Sequence, residues 1–349
     1  MKLIDISVAS VRPSKLTCLL ILVSLSVSLS AEPMTEYQRC LLQRLDTAAP
    51  TQTVADIKAQ CEVNLAEQPA AKVEMKEAVE PEQPDIGSLV ANRRDAEKAT
   101  RQNPFVISPH KQNYVLLASY NAEPNFQVYN IPESDFDRWE MKFQLSYKMP
   151  VVEGLFGSDV DLYAAYTNLS FWQAYNRDIS SPFRETNHEP ELFLVVPDMW
   201  PDDWQLDGWR NALMQFGVVH QSNGQGGFLS RSWNRLYADL LFEKRNFLLG
   251  LKSWYRIPED NDDNPHIDDY LGRYEIHGLY KRRQQTFSLM LRNLFDGDNR
   301  DTIKLDWSFP LYGRWRGYLQ YFNGYGESLI DFNAKSHRLG FGLQLTDWL

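Results

Sequence analysis

The sequence predicts an all-β fold: a 12-stranded antiparallel transmembrane β-barrel with a small N-terminal periplasmic helical segment. Three observations point there. Residues 139–149 alternate without a break, Trp139, Met141, Phe143, Leu145, Tyr147 and Met149 against Glu140, Lys142, Gln144, Ser146 and Lys148. That is the period of a strand with two different faces. Aromatics make up 13% of the chain, including 10 Trp and 17 Tyr, although mean hydropathy is −0.45. Beyond the N-terminus no apolar run approaches the roughly 20 residues that a membrane-spanning helix needs. Outer-membrane barrels cross with alternating strands and aromatic girdles. A soluble β-rich secreted enzyme has a similar composition, so composition alone leaves both classes open.

From the N-terminus, residues 1–30 read as a secretory signal, with Lys2, Arg12 and Lys15 before the apolar stretch Leu16–Leu29. Ser28 and Ser30 supply small residues ahead of cleavage near Ala31. A membrane anchor is the alternative, but the apolar run is short for one. Cys18 leaves with the signal, so Cys40 and Cys61 remain of the 3 cysteines. In an oxidising compartment these two can pair. Residues 31–65 are therefore expected to form a helical hairpin clasped by one disulfide. Residues 66–102, rich in Ala, Glu, Gln and Pro, read as a linker, and 103–349 as the barrel.

Strand-like alternation recurs near 113–121, 139–149, 158–171, 188–197, 209–222, 233–243, 247–256, 268–281, 285–294, 302–310, 315–323 and 337–349. An even number suits a bacterial barrel. Trp348 is penultimate, slightly off the terminal aromatic such barrels commonly carry. Connections near 243–247, 282–284 and 311–314 are short, while those near 172–187, 223–232, 256–267 and 324–336 are long. Short turns belong on the periplasmic side and long loops outside. The formal net charge of −10 argues against a general nucleic-acid binder.

The run HQSNGQGGFLSRSWN, His220 to Asn234, carries the chemistry. His220 and Ser222 continue the apolar parity of Ala212, Met214, Phe216 and Val218, and Asn234 shares parity with Leu236, Ala238, Leu240 and Phe242. A base, a nucleophile and an orienting amide thus lie at the top of an apolar wall. Polar groups there are costly unless partnered, which suggests chemistry on something that lives beside the wall, a lipid above all. A lone His-x-Ser pair is weak evidence.

The whole fifteen-residue run resembles the active-site stretch of bacterial outer-membrane phospholipase A. SSPFRETNHEPELFL (180–194), DDNP (262–265) and GYGESLIDFN (324–333) are similar to further stretches of that family, and the likeness runs from about Asn103 to the C-terminus. The resemblance implies hydrolysis of acyl esters of phospholipids and lysophospholipids at the outer leaflet. Ser222 would be the nucleophile, His220 the general base and then acid, Asn234 the group that fixes the ring tautomer, and the Gly224 N–H an oxyanion donor. A neutral amide in place of a carboxylate has a rationale: an ionised carboxylate costs several kcal/mol to desolvate. It stabilises the imidazolium less, so a cation near the oxyanion is expected.

The resemblance further implies that this cation is calcium. It would be held by the Ser230 hydroxyl, the Gln225 carbonyl and the Ser180 carbonyl of the partner subunit in a reversible homodimer, with Asp263 in a neighbouring site. Calcium prefers such hard oxygens. Without the resemblance, the acidic run 258–265 reads more readily as a solvated loop than as a cation site. Where the family has an acidic residue, this chain has Gly226-Gly227, which bears on cation affinity. Asn168 shares parity with Val160, Leu162, Ala164 and Tyr166. Its amide either meets its twin across a dimer interface or is hydrated at the rim. A passive barrel with a decayed triad is a different class of function. A soluble esterase would need a Gly-x-Ser-x-Gly elbow, which is absent.

Overall fold

The computed structural model describes Lys58 and residues 88–100 and 107–346, except 130–131, 133–134, 179, 181, 198, 201–204, 261 and 295–298. The expected signal peptide, the Cys40–Cys61 hairpin and Trp348 lie outside the described residues. The chain divides into a unit up to Glu82 and a second from Gln83 onward, and the fold below is that of the second.

A two-residue strand, β1 (Ser108–Pro109), precedes twelve long ones. These are β2 (Asn113–Asn121), β3 (Trp139–Leu155), β4 (Val160–Trp172), β5 (Phe183–Pro197), β6 (Arg210–Ser222), β7 (Ser232–Lys244), β8 (Phe247–Ile257), β9 (Tyr274–Arg282), β10 (Gln285–Arg292), β11 (Thr302–Pro310), β12 (Arg316–Tyr325) and β13 (Lys335–Thr346). Each of the twelve pairs antiparallel with the next, and β13 pairs back onto β2, so the sheet closes. Closure leaves no unpaired edge for lipid to meet. Among the described residues no helix is long and apolar enough to cross a membrane; the barrel strands are the spanning elements.

The alternation read from residues 139–149 appears as an inside and an outside. Glu140, Lys142 and Ser146 are buried, whereas Trp139, Leu145, Tyr147 and Met149 are exposed on the outer wall. The buried side of this barrel is therefore rich in charge. Arg184 Nε lies 2.6 Å from Glu140 Oε1 and its Nη1 2.7 Å from Asp331 Oδ2. Arg338 reaches Glu140 and Glu327, each at 2.9 Å, and Lys142 Nζ lies 2.9 Å from Glu327 Oε1. Two sequence motifs meet in this network. Glu185 and Asn187 of β5 accept the Ile330 and Leu329 backbone N–H groups at 3.1 and 3.0 Å, which ties the β12–β13 loop to the long-loop end of the lumen.

Two helices differ from the sequence expectation. Helix α1 (Leu89–Thr100) lies within the stretch 66–102, read above as linker. Ser88 caps it, its Oγ accepting the Ala91 N–H at 2.9 Å while donating to Glu243 Oε1 at 2.5 Å. Val90 packs in a buried cluster with Tyr163, Phe193 and Leu213, so α1 sits in the barrel interior. Helix α2 (Ile267–Leu271) occupies residues placed in the 268–281 strand. Ile267 and Leu271 are both buried and four apart, one helical turn on a shared face. Gly272, with φ 69° and ψ −166°, ends the helix in a conformation that glycine adopts readily, and β9 begins only at Tyr274. Strand β5 starts at Phe183 rather than near 188.

Candidate active site

The candidate site stands where β6 and β7 reach the long-loop end. Phe216, Val218 and Leu236 are 37%, 40% and 51% exposed, which marks their faces as the outer wall. His220 and Ser222 follow Phe216 and Val218 in parity, and Asn234 precedes Leu236. All three therefore point outward, as the sequence suggests. His220 and Asn234 are directly opposed across the ladder, and His220 Nδ1 lies 2.9 Å from Asn234 Oδ1. The amide nitrogen of Asn234 donates to Glu259 Oε1 at 2.9 Å. A carboxylate accepts and does not donate, so the amide oxygen is left facing the ring and Nδ1 carries the proton. Nε2 is then the ring nitrogen free to take one. Among the described residues, Ser222 Oγ makes no hydrogen bond to His220; the two side chains sit two positions apart on the same face. Such bonds often tighten only with substrate present.

The loop after Ser222 is organised by Asn223, which is buried. Its Oδ1 accepts the Arg231 and Gln225 N–H groups at 2.9 and 3.3 Å, its Nδ2 donates to the Leu229 carbonyl at 2.8 Å, and its backbone N–H to the Arg231 carbonyl at 3.0 Å. Gly224 stands at φ 64°, a conformation that other residues resist. A Cβ there would lie 3.7 Å from His188 Nε2.

Two of the expected cation ligands come together. Ser230 Oγ donates to Asp263 Oδ2 at 2.5 Å. The DDNP stretch makes this possible. Asn264 is fully buried and its Oδ1 accepts the Ser232 N–H at 2.9 Å, while Arg256 Nη2 holds Asp262 Oδ2 at 2.5 Å. The β8–β9 loop is thereby pinned to the start of β7. Gln225 belongs to the same Asn223-closed loop. Ser180, at φ 60° in the β4–β5 loop, shares no hydrogen bond with Ser230, Gln225 or Asp263 among the described residues. Among the described residues no group of three or more His, Cys, Asp or Glu side chains is arranged to hold a metal ion. A site here would rest on one carboxylate, a hydroxyl and carbonyl oxygens, a donor set that fits a hard cation such as calcium. Asn168 lies on the outer wall opposite His188 of β5 and Leu145 of β3, its Oδ1 accepting from Ser170 Oγ at 3.0 Å.

Comparison with known proteins adds to this geometry. A family model described as phospholipase A1 matches residues 90–345. Phospholipase A1 of Klebsiella pneumoniae is 38% identical over 264 residues, covering 75% of this chain and 88% of its own. The protein of the same name from Escherichia coli K12 is 36% identical over 272 residues, covering 75% and 87%.

The chain belongs to the phospholipase A1 family.

The fold agrees. A Salmonella typhi outer membrane phospholipase dimer with bound calcium superposes with a TM-score of 0.67 at 35% identity, covering 75% of this chain and 99% of that one. Escherichia coli outer membrane phospholipase A gives 0.65 at 35% identity, covering 70% and 100%. The protein is thus a carboxylic ester hydrolase, a phospholipase A1, in a barrel of the Gram-negative outer membrane.

Two residues at the site were missed in the sequence. His188 lies opposite Ser222 across the β5–β6 ladder, its Nδ1 2.6 Å from the Tyr166 hydroxyl. Glu259 follows Ile257, which is the partner of Asn234 across β7–β8. Neither relation is visible without the strand registers.

Proposed function

We propose that this family member hydrolyses acyl ester bonds of phospholipids and lysophospholipids with Ser222, His220 and Asn234, in a calcium-dependent manner and as a dimer. The hydrogen bond between His220 and Asn234 on the lipid-facing wall carries the reading. The Ser222 hydroxyl adds to the ester carbonyl carbon as His220 Nε2 takes its proton. Asn234 holds the Nδ1–H, so the ring stays in the tautomer that can accept. The Gly224 N–H, which among the described residues has no acceptor, would donate to the oxygen on which charge develops. Collapse expels the lysolipid alkoxide, which His220 protonates. Water activated by the same ring then releases the fatty acid.

Calcium bound by Ser230, Gln225, Asp263 and Ser180 of the partner subunit would supply positive charge near that oxygen, offsetting the weaker support that a neutral Asn, unlike a carboxylate, gives the imidazolium. A barrel wall is half a groove, and two walls face to face would grip the acyl chains. The outward triad also supports regulation by substrate access. Phospholipid reaches the outer leaflet, where the long-loop end would lie, only when bilayer asymmetry fails.

The test is fatty-acid release from phospholipid micelles, with calcium or with chelator, for the wild type and Ser222→Ala. Calcium-stimulated release that disappears in a folded, heat-modifiable Ser222→Ala barrel is expected. Full activity in that variant would refute the nucleophile, and wild-type release unaffected by chelator would refute the calcium dependence.

A further inference from the structure

A Ser-His-Asn site has an unsolved electrostatic problem. The imidazolium that forms when Ser222 loses its proton has only a neutral amide beside it, and the surrounding wall is lipid. Glu259 answers that problem in this chain. We infer that Glu259 is a fourth member of the relay, a positioning residue that orients and polarises Asn234 and thereby stabilises protonated His220. The inference rests on the triad proposed above.

The placement is specific. Ile257 is the last residue of β8 and the ladder partner of Asn234. Two residues on, past Pro258, Glu259 returns to the same outward parity at the rim, half-buried, with Oε1 2.9 Å from Asn234 Nδ2. An amide can present either end to a histidine. The carboxylate removes that ambiguity, because it can receive only the Nδ2–H. By accepting from Nδ2–H it also pushes electron density through the amide toward Oδ1, which strengthens the acceptor that holds His220 Nδ1–H. The charge stands two residues beyond the end of β8. It reaches the ring through two hydrogen bonds without the desolvation cost of a carboxylate set in hydrocarbon.

The groups around His220 divide by face. Glu259 shares its outer face and rim with His188 of β5, Tyr166 of β4 and Tyr255 of β8. Arg231 and Asp263 belong to the adjoining loops. Glu189, Arg235 and Arg256 have the opposite, lumenal parity. Of the anionic groups, Glu259 alone is hydrogen-bonded to a triad member among the described residues.

The experiment measures the pH profile of kcat/KM for acyl release at saturating calcium, in the full chain, with heat-modifiability confirming a folded barrel. Glu259→Ala should lower kcat about tenfold with KM within twofold, the scale for a residue supporting a functional ligand. Glu259→Gln keeps an acceptor for Asn234 but removes the charge. It should retain most of kcat while the acidic limb moves down by about half a unit, less than the shift from a directly adjacent carboxylate. Glu259→Asp should recover part of the loss. In an Asn234→Ala background, Glu259→Ala should cost nothing further.

An equal loss with and without Asn234 would overturn the relay. So would an acidic limb unmoved in Glu259→Gln, or a shifted calcium midpoint with the limb in place, which would assign Glu259 to the cation loop. Failure of the triad itself reads differently: Ser222→Ala and Asn234→Ala would keep full activity.

Discussion

The lumen and the outer wall handle polar side chains in opposite ways. Inside, Glu140, Arg184, Arg338, Glu327 and Lys142 are buried and bonded to one another. Outside, Trp139, Leu145, Leu236 and Phe341 face lipid, and one group of polar side chains among them sits on β4–β7 around Ser222. Charge inside the barrel is therefore structural, each group serving as another's solvent. Polar groups on the wall have few partners and meet lipid on their open side, where an unsatisfied one calls for a substrate or a partner subunit. The contrast predicts that the two regions can be damaged separately.

The sharpest separation, and the largest effect, lies at His220. His220→Ala should lower acyl release by about four orders of magnitude or more, as when a member of a hydrolase triad is removed. Its unfolding free energy in detergent should fall by only about 1 kcal/mol, the net worth of the hydrogen bond to Asn234 that is lost. A large loss of stability would mean that the wall residue also holds the barrel together.

The converse lesion is Glu140→Ala. It leaves Arg184 and Arg338 buried with one carboxylate fewer, and breaking a buried pair in this way costs about 3–5 kcal/mol. Denaturant unfolding followed by tryptophan fluorescence should show this loss, while activity per folded molecule at low temperature should change far less. Wild-type stability in this variant would show that water readily reaches the network.

The same contrast decides what was legible in the sequence. Strand β3 could be read because lipid and lumen impose opposite polarities on neighbouring residues. His220, Ser222 and Asn234 could be read because each breaks a local apolar parity. Interactions between distant elements could not. Strand β5 begins at Phe183 because Arg184, Glu185 and Asn187 face Asp331, Ile330 and Leu329, well over a hundred residues away. Helix α1 buries little beyond Leu89 and Val90 in twelve residues, too few apolar positions to show a helical period. Helix α2 is a single turn that only its burial reveals. Glu259 and His188 are assigned by registers, Asn234 to Ile257 and Ser222 to His188, that no local pattern encodes.

Acid sharpens the comparison from the lumenal side. Glu327 lies in the β12–β13 loop. Burial alone would raise its carboxyl, but Arg338 and Lys142 outweigh burial and hold it below the ordinary carboxylate range. A group whose folded value is depressed contributes stability that is complete above its unfolded value, near 4.3, and is lost as pH falls toward the folded one. Unfolding midpoints should therefore drop by about 1 kcal/mol between pH 6 and 3.5 from this group. Glu327→Gln should be less stable at pH 7 and less sensitive to acid. An equally steep acid loss in that variant would place the sensitive group elsewhere.

The smallest expected effect tests the wall against itself. Asn168 accepts a hydrogen bond from Ser170, yet its amide N–H groups have no acceptor among the described residues. A donor left on an apolar wall would be stabilised by a second copy presenting the same amide oxygen across a two-fold axis. Such bonds between membrane segments average about 0.6 kcal/mol because the separated chains also find partners, so Asn168→Ala should weaken the calcium-loaded dimer about threefold. Sedimentation equilibrium in detergent resolves that shift, and acyl release at limiting protein should fall in proportion. A dimer constant unchanged within error would assign the Asn168 amide to water at the rim and leave the dimer contacts to the apolar residues around it.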